Sequence, residues 1–174
     1  LSDWVSEFFL ERSQVLDDWN ALARMTHLNR IKITDMADVA PTAQLGKACP
    51  IETPEGPNIG RVLTIAQGAV IDNGMVRIIS EGADAILGPV ASMIPFIERS
   101  DPARTLMGAN MMRQWIPPLD PELPIVVTGN EPDGLEFANG YNLLTAFVSL
   151  GVPTCEDGIV LSKSAATRMC YDTD

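Results

Sequence analysis

One predicted helix, which begins after Ser100, carries the side chains with the clearest chemical potential. Arginine suits phosphate because its planar guanidinium donates paired hydrogen bonds, and backbone N–H groups near a helix N-terminus also favour anions. The polar residues that this helix could offer to a phosphate or a nucleobase are Arg104, Asn110, Arg113 and Gln114. Exposed arginines are common on protein surfaces, so a solvated helix face is the alternative interpretation.

Carboxylates occur in two places where they could act on a metal ion. Glu156 and Asp157 are adjacent and precede a short apolar segment, whereas Glu52 and Glu55 lie in a proline-rich stretch. Adjacent residues on a strand point to opposite faces, so the first pair could share a metal only from a loop. A solvated turn is the simpler interpretation of that pair. A lone histidine such as His27 is more often packed or hydrogen-bonded than catalytic.

Residues 49–60, with the sequence CPIETPEGPNIG, cannot form a regular helix or strand. Three prolines and two glycines fall within twelve residues. Proline fixes φ and removes a donor, and glycine permits positive φ. We therefore expect a rigid, shaped loop that holds its carboxylates and its amide at fixed positions.

The elements that must position these residues follow from apolar spacing and turn chemistry. A first helix capped by Ser2, with an apolar face of Trp4, Val5, Phe8 and Phe9, and a second helical stretch over 15–22 predict an amphipathic helical hairpin. Asn73-Gly74 predicts a β-hairpin within 62–79, because Asn-Gly favours two-residue turns. The remaining predictions are a short helix from about Val90 to Pro95, a helix from Ser100 or Asp101 to about Trp115, and buried strands over 123–128, 142–148 and 158–162.

The composition predicts a folded chain of one domain or two small ones. The chain has 174 residues, of which 46% are hydrophobic and 20% charged, which is enough for a real core. Twelve basic against 23 acidic residues give a net charge of −11. This excludes a basic domain that coats nucleic acid by charge alone. It leaves open a nucleic-acid site inside a larger assembly whose other parts carry the positive charge.

The cysteines and the first residues of the chain limit the cellular compartments in which the protein is expected. The three cysteines are widely spaced, no CxxC is present and His27 is the only histidine, which makes a disulfide framework or structural zinc site improbable and predicts reduced thiols in the cytosol. The apolar run 85–97 is too short to span a bilayer. The first residues have no basic region and no Met, so we expect no signal peptide and a chain processed or cut from a longer one.

Residues 49–60 resemble a signature segment of the β subunit of bacterial DNA-directed RNA polymerase. Further segments occur in the order typical of that family. They are SDWVSEFF at 2–9, which resembles the helical region before the rifamycin-pocket segment, SQVLDDWNALARMTHLNR at 13–30, which resembles that segment, IPFIERSDPARTLMGANMMRQ at 94–114, VTGNE at 127–131 and NLLTAFVSLGVPTCEDGIVLS at 142–162.

The resemblance implies that the chain helps to form the active centre and the RNA–DNA hybrid site for template-directed RNA synthesis. It places Arg104 at the triphosphate of the incoming nucleotide, and Glu156 and Asp157 near the second metal ion, with an indirect role toward that metal. Asn110 and Gln114 are implied to lie close to the active centre and the hybrid. The wall beside the nascent RNA, which in the family is also the rifamycin pocket, is matched by Gln14, Asp17, His27, Arg30, Pro54, Glu55, Asn58 and Val62.

The same resemblance implies cofactors and partners. Mg²⁺ would be held mainly by a β′-like largest subunit, and the chain would assemble with that and other polymerase subunits. Template DNA, RNA and nucleoside triphosphates would be bound within this assembly, in the cytoplasm at the nucleoid and away from membranes. The alternatives are a non-catalytic β-like protein that binds and regulates an RNA polymerase, and an inactive, degenerate relative.

Several segments depart from the family pattern. The glycine-rich fork loop after Arg30 is replaced by a shorter stretch, 61–90 is also shortened, and residues 153–155 replace an aromatic-Asn-aromatic sequence. The second half of the family's barrel, with its active-site lysines, is absent, which implies activity only after assembly. The expected fold is α+β, with a helical fork-like region over 1–48, an active-centre wall over 49–120 and the first half of a hybrid-binding β-barrel over 121–174.

Overall fold

A computed structural model describes residues 2–33, 41–83, 85–131, 137–149 and 158–169. This part of the chain contains both helices and short antiparallel strands, which confirms the α+β class. The elements are α1 (Ser2–Arg12), α2 (Ala21–Leu28), β1 (Arg30–Lys32), α3 (Pro41–Gln44), β2 (Val62–Thr64), β3 (Ala69–Asp72), β4 (Met75–Ile78), two 3₁₀ turns (Ala91–Met93 and Ile97–Arg99), α4 (Pro102–Met112) and α5 (Lys163–Arg168).

The core lies where α2, α4 and the first 3₁₀ turn meet. Leu22 of α2 and Val90, just before the turn, are 1% and 0% exposed, and they pack with Met93 and Ala109. The small Ala109 side chain lets α4 approach this cluster closely. Partly buried apolar side chains extend the core on its outer side, namely Met25, Ile94, Met112, Trp115 and Phe137.

The structure also contains two antiparallel strand pairs. The pair β1–β2 places Ile31 opposite Leu63, and β3–β4 is the predicted hairpin. Asn73 and Gly74 both have positive φ, at 50° and 77°, as the two central residues of a type I′ turn require. The hairpin prediction is therefore confirmed over 69–78, while residues 62–64 pair with β1 instead.

The helix predictions are confirmed in part. Both α1 and α4 form where expected, with Pro102 at the start of α4, although α4 ends at Met112 rather than near Trp115. The short helix after Val90 is a single 3₁₀ turn. The second helix begins at Ala21 and not near Val15, because Asn20 has extended backbone and its side chain caps the Ala23 N–H at 2.8 Å.

The predicted helical hairpin is wrong in its packing. No residue of α1 is buried, and its aromatic side chains stack on each other, with the Trp4 and Phe8 ring centroids 5.8 Å apart. The apolar spacing correctly predicted a helix but not its partner.

The strands predicted over 123–128, 142–148 and 158–162 are also wrong. Within the described residues these segments form no ladder, and the nearest pairing is one isolated bridge between Glu122 and Gly140. Apolar side chains there face solvent, as at Phe147 and Val160, which are 99% and 94% exposed. A strand needs a partner for its backbone groups, and the described part of the chain supplies none. No closed barrel is present in that part, and the division into three regions remains a prediction.

Candidate functional site

The rigid loop over 49–60 is held by its own side chains and by β2. The Thr53 hydroxyl donates to the Val62 carbonyl at 3.0 Å and accepts from the Gly60 N–H at 2.9 Å. The Cys49 sulfur accepts from the N–H groups of Ile51 and Glu52 at 3.4 and 3.3 Å. These bonds close the loop on itself, as the proline and glycine content predicted.

Glu52, which the sequence left ambiguous, points into the protein. It is 2% exposed, and its Oε2 accepts from the Ala91 N–H at 3.4 Å, while Oε1 is buried without a hydrogen-bond partner in the described residues. Burial raises the pKa of Glu52, and the N–H bond and the positive charge of Arg113 offset only part of this effect. Burial likewise raises the pKa of the Cys49 thiol, and the charge of Glu52 adds to the rise.

This buried carboxyl gives a testable pH dependence. Because its folded-state pKa lies above the ordinary 4.5, Glu52 contributes stability that is fully present below that value and is lost as the pH rises through the raised pKa. We therefore expect Glu52→Gln to be more stable than wild type at pH 8 and to lose that advantage near pH 4. Urea unfolding across this pH range measures the difference. Glu55→Gln, an exposed neighbour, is the control, and parallel curves for Glu52→Gln and wild type would contradict the prediction.

A cleft of about 720 Å³ opens between the loop, the segment before α2 and the end of α4. It brings together side chains from four stretches of sequence, at 17–19, 30, 54–55 and 110–116. Its charged groups are mixed in sign, with two carboxylates and two guanidinium groups. The residues that line it are Asp17, Trp19, Arg30, Pro54, Glu55, Asn110, Arg113, Gln114 and Ile116. Six of these, all but Trp19, Arg113 and Ile116, belong to the set that the family resemblance selected.

Amide side chains fix the walls of this cleft to one another. Asn110 donates to the Thr53 carbonyl at 3.3 Å, which ties α4 to the rigid loop, and it accepts from Arg113. Asn20 donates to the carbonyls of Arg113 and Trp115 at 2.8 and 3.1 Å, which ties the start of α2 to the end of α4.

Arg113 is the partly buried cation of the cleft. Its Nε atom is buried without a partner in the described residues. Burial lowers the pKa of Arg113, an effect that the nearby charge of Glu52 opposes and that of Arg30 reinforces. A guanidinium nevertheless stays protonated in proteins, so the cleft retains a fixed positive charge next to Asn110.

His27 shapes the segment before α2 through both ring nitrogens. Its Nδ1 accepts from the Asp17 backbone N–H at 3.1 Å, and its Nε2 lies 3.3 Å from Gln14 Oε1. An accepting Nδ1 requires the tautomer with the proton on Nε2, so Nε2 donates to Gln14. The structure therefore brings Gln14, Asp17 and His27 together, with His27 in a positioning role.

The other predicted residues lie elsewhere. Arg104 is exposed and lines a second, smaller cavity rather than the cleft. Asn58 is exposed on the loop, and Val62 lies in β2 paired with Lys32, so neither lines the cleft. Glu156 and Asp157 fall outside the described residues. Among the residues that the structure does describe, no three His, Cys, Asp or Glu side chains form a group that could hold a metal ion.

Three cleft residues were not selected from the resemblance. Arg113 stood out only as a cation on the helix, and Trp19 only as part of an apolar face. Nothing in the sequence indicated a binding role for Ile116, because an apolar residue before two prolines indicates only the end of a helix. The burial of Glu52 likewise could not be read from its neighbours in sequence.

The chain is similar in sequence to proteins of the RNA polymerase family. Residues 14–71 match the family model described as RNA polymerase Rpb2, domain 3. The chain is 28% identical to the DNA-directed RNA polymerase subunit beta of Syntrophus aciditrophicus (strain SB), over 73% of this chain. The chain spans only 15% of that relative's length. None of the described helices has the length and apolar character needed to cross a membrane.

Proposed function

We propose that this chain, which is similar to the β subunit of a bacterial DNA-directed RNA polymerase, forms part of such a polymerase and provides one wall of its RNA site. The observation that carries the proposal is the cleft, which gathers six of the ten residues selected for contact with RNA from separate segments. These six are Asp17, Arg30, Pro54, Glu55, Asn110 and Gln114. The same cleft is proposed as the counterpart of the family's rifamycin pocket.

The side chains of the cleft suit a short stretch of single-stranded RNA. Arg30 and Arg113 can pair with phosphate, and Trp19, which is 72% exposed, offers a face on which a base can stack. Asn110 and Gln114 add amide donors and acceptors. The acidic groups Asp17 and Glu55 limit the affinity of the isolated chain, which agrees with its net charge of −11 and with a site that works only within an assembly.

The proposed reaction is transfer of a nucleotidyl group from a nucleoside triphosphate to the RNA 3′-hydroxyl, in which the bond to the α-phosphorus forms as the bond to the leaving pyrophosphate breaks. In such transfers metal ions and cationic side chains neutralise the triphosphate, and Arg104 is the residue of this chain proposed for that role. On the basis of the family resemblance we assign the Mg²⁺ to a β′-like partner, and we give this chain no step through it. Glu156 and Asp157 remain proposed neighbours of the second metal ion. DNA, RNA and nucleoside triphosphates are the proposed ligands of the whole assembly in the cytoplasm.

Photo-crosslinking in the assembled polymerase tests this proposal. An RNA carrying 4-thiouridine near its 3′ end is bound to the complex, irradiated and the crosslinked peptides are identified. We expect crosslinks in 14–30 and 49–60, and none in the β3–β4 hairpin, which does not line the cleft. A complex that contains the chain and elongates RNA without those crosslinks would overturn the proposal and favour a non-catalytic regulator.

A further inference from the structure

A second cavity, of about 340 Å³, lies on the face of α4 opposite the cleft. Successive helical residues are rotated by about 100°, so Arg104, Gly108 and Met112 share one face of α4, and Asn110 lies on the other. The two spaces are therefore separated by the helix. The size falls within the range of small-molecule sites, roughly 300–1,000 Å³.

The walls of this cavity are largely apolar. Leu22 and Met93, both nearly fully buried, form part of its floor. Other apolar walls are Ile94, Met112, Val126 and Phe137. A hydrocarbon body placed there would be removed from water on several sides, and burial of apolar area contributes about 25 cal/mol per Å².

The two charged side chains of the cavity, Glu131 and Arg104, differ in the hydrogen bonds that they already make within the protein. The Glu131 carboxylate accepts from the N–H groups of Thr128 and Gly129 at 2.7 and 2.8 Å. Partial burial alone would raise the pKa of Glu131, but these bonds bring it below its usual value. Arg104 donates a hydrogen bond to the Met107 sulfur at 3.4 Å, and no carboxylate of the described residues pairs with it. In this cavity the Glu131 carboxylate is thus already hydrogen-bonded to backbone N–H groups, whereas the Arg104 guanidinium can pair with an anionic ligand.

We propose that this cavity binds a small organic anion with one aromatic or branched apolar body and one carboxylate or sulfonate. The apolar body fills the space against Met93 and Phe137, and the anionic group pairs with Arg104. The inference does not depend on the proposed function, because it uses only the cavity walls and their charges.

Methyl NMR of the full chain labelled at methionine tests the site with 2-naphthoate as the probe. We expect the methyl signals of Met93 and Met112 to shift on titration, while that of Met75 in the β3–β4 hairpin stays in place. The neutral analogue 2-naphthamide should bind about tenfold more weakly, since a charge-assisted hydrogen bond is lost. Equal binding of the two compounds, or equal shifts at all three methionines, would overturn the proposal.

Two variants separate specific binding from a change in folding. An ideal Cβ at Gly108 meets no heavy atom within 4 Å, so Gly108→Leu should fold, fill the cavity and abolish the Met93 shift. Arg104→Gln should weaken 2-naphthoate about tenfold and leave 2-naphthamide unchanged. Arg99→Gln, whose guanidinium lies over the Phe96 ring at 5.7 Å, is the matched control and should bind like wild type. Unchanged binding by Gly108→Leu, with its thermal unfolding temperature maintained, would place the ligand elsewhere.

Discussion

Replacing Gly88 with alanine is expected to lower the free energy of unfolding by about 3 kcal/mol. A Cβ at this position would lie 1.7 Å from Glu52 Oε2, 2.7 Å from Glu52 Cδ and 3.2 Å from Cys49 Cβ. The Glu52 side chain is flexible in principle, but it is 2% exposed and bonded to the Ala91 N–H. It could move only by breaking that bond and disturbing the packing around Cys49.

Urea unfolding of Gly88→Ala beside Gly108→Ala tests this expectation. Gly108 is a helical glycine with open space at its Cβ, so alanine there should stabilise the chain by up to about 1 kcal/mol. The double variant Gly88→Ala/Glu52→Ala should recover part of the loss, because it removes the clashing carboxylate. If both single glycine variants have the same stability, the close contact between Gly88 and Glu52 does not exist.

Replacing Arg104 with alanine is expected to lower kcat/KM for nucleotide addition by the assembled polymerase about 100-fold. The expectation rests on the proposed contact with the triphosphate, since removal of one well-placed donor to a developing charge typically has an effect of about this size. Arg104 is exposed and makes no ion pair in the part of the chain that the structure describes. Its loss should therefore cost little stability.

Single-nucleotide addition measured over a range of substrate concentration gives the required constants. Arg99→Ala is the matched control, because this arginine lies three residues before α4 and contacts two neighbours in sequence, the Glu98 carboxylate at 3.6 Å and the Phe96 ring at 5.7 Å. Copurification with the other subunits shows that the Arg104 variant still assembles. A variant that assembles and adds nucleotides at the wild-type rate would remove Arg104 from the proposed chemistry.

Local chemistry explains which elements could be predicted. The β3–β4 hairpin follows from two adjacent residues that tolerate positive φ, and α4 begins at a proline suited to the first helical turn. The start of α2 was misplaced because the apolar residues before it have helical spacing. The helix instead begins after a single capping residue, Asn20. The side chain of Asn20 also donates hydrogen bonds to carbonyls more than 90 positions away in the sequence.

The failed strand predictions have a different cause. Residues 142–148 and 158–162 have the apolar, β-branched composition of buried strands, but β-propensity mainly reports how a side chain packs on its neighbours. With no partner strand in the described residues, the composition alone could not produce a ladder. The loop and the helix that border the cleft could be predicted from local prolines and local periodicity, whereas six of the cleft residues were selected by the family resemblance. The burial of Glu52 depends on the close approach of Gly88, and the position of Arg113 depends on its hydrogen bond to Asn110. No local sequence pattern indicates either contact.

The Asn20 side chain has a consequence for the dynamics of the chain. One amide both caps α2 and bonds the carbonyls that follow α4, so neither helix end can open without disturbing the other. Local opening of these two ends should therefore be a single cooperative event. In native-state hydrogen exchange, the Ala23 amide and the amides of the last turn of α4 would share one opening free energy. The cleft would then behave as a unit that is either fully formed or fully lost.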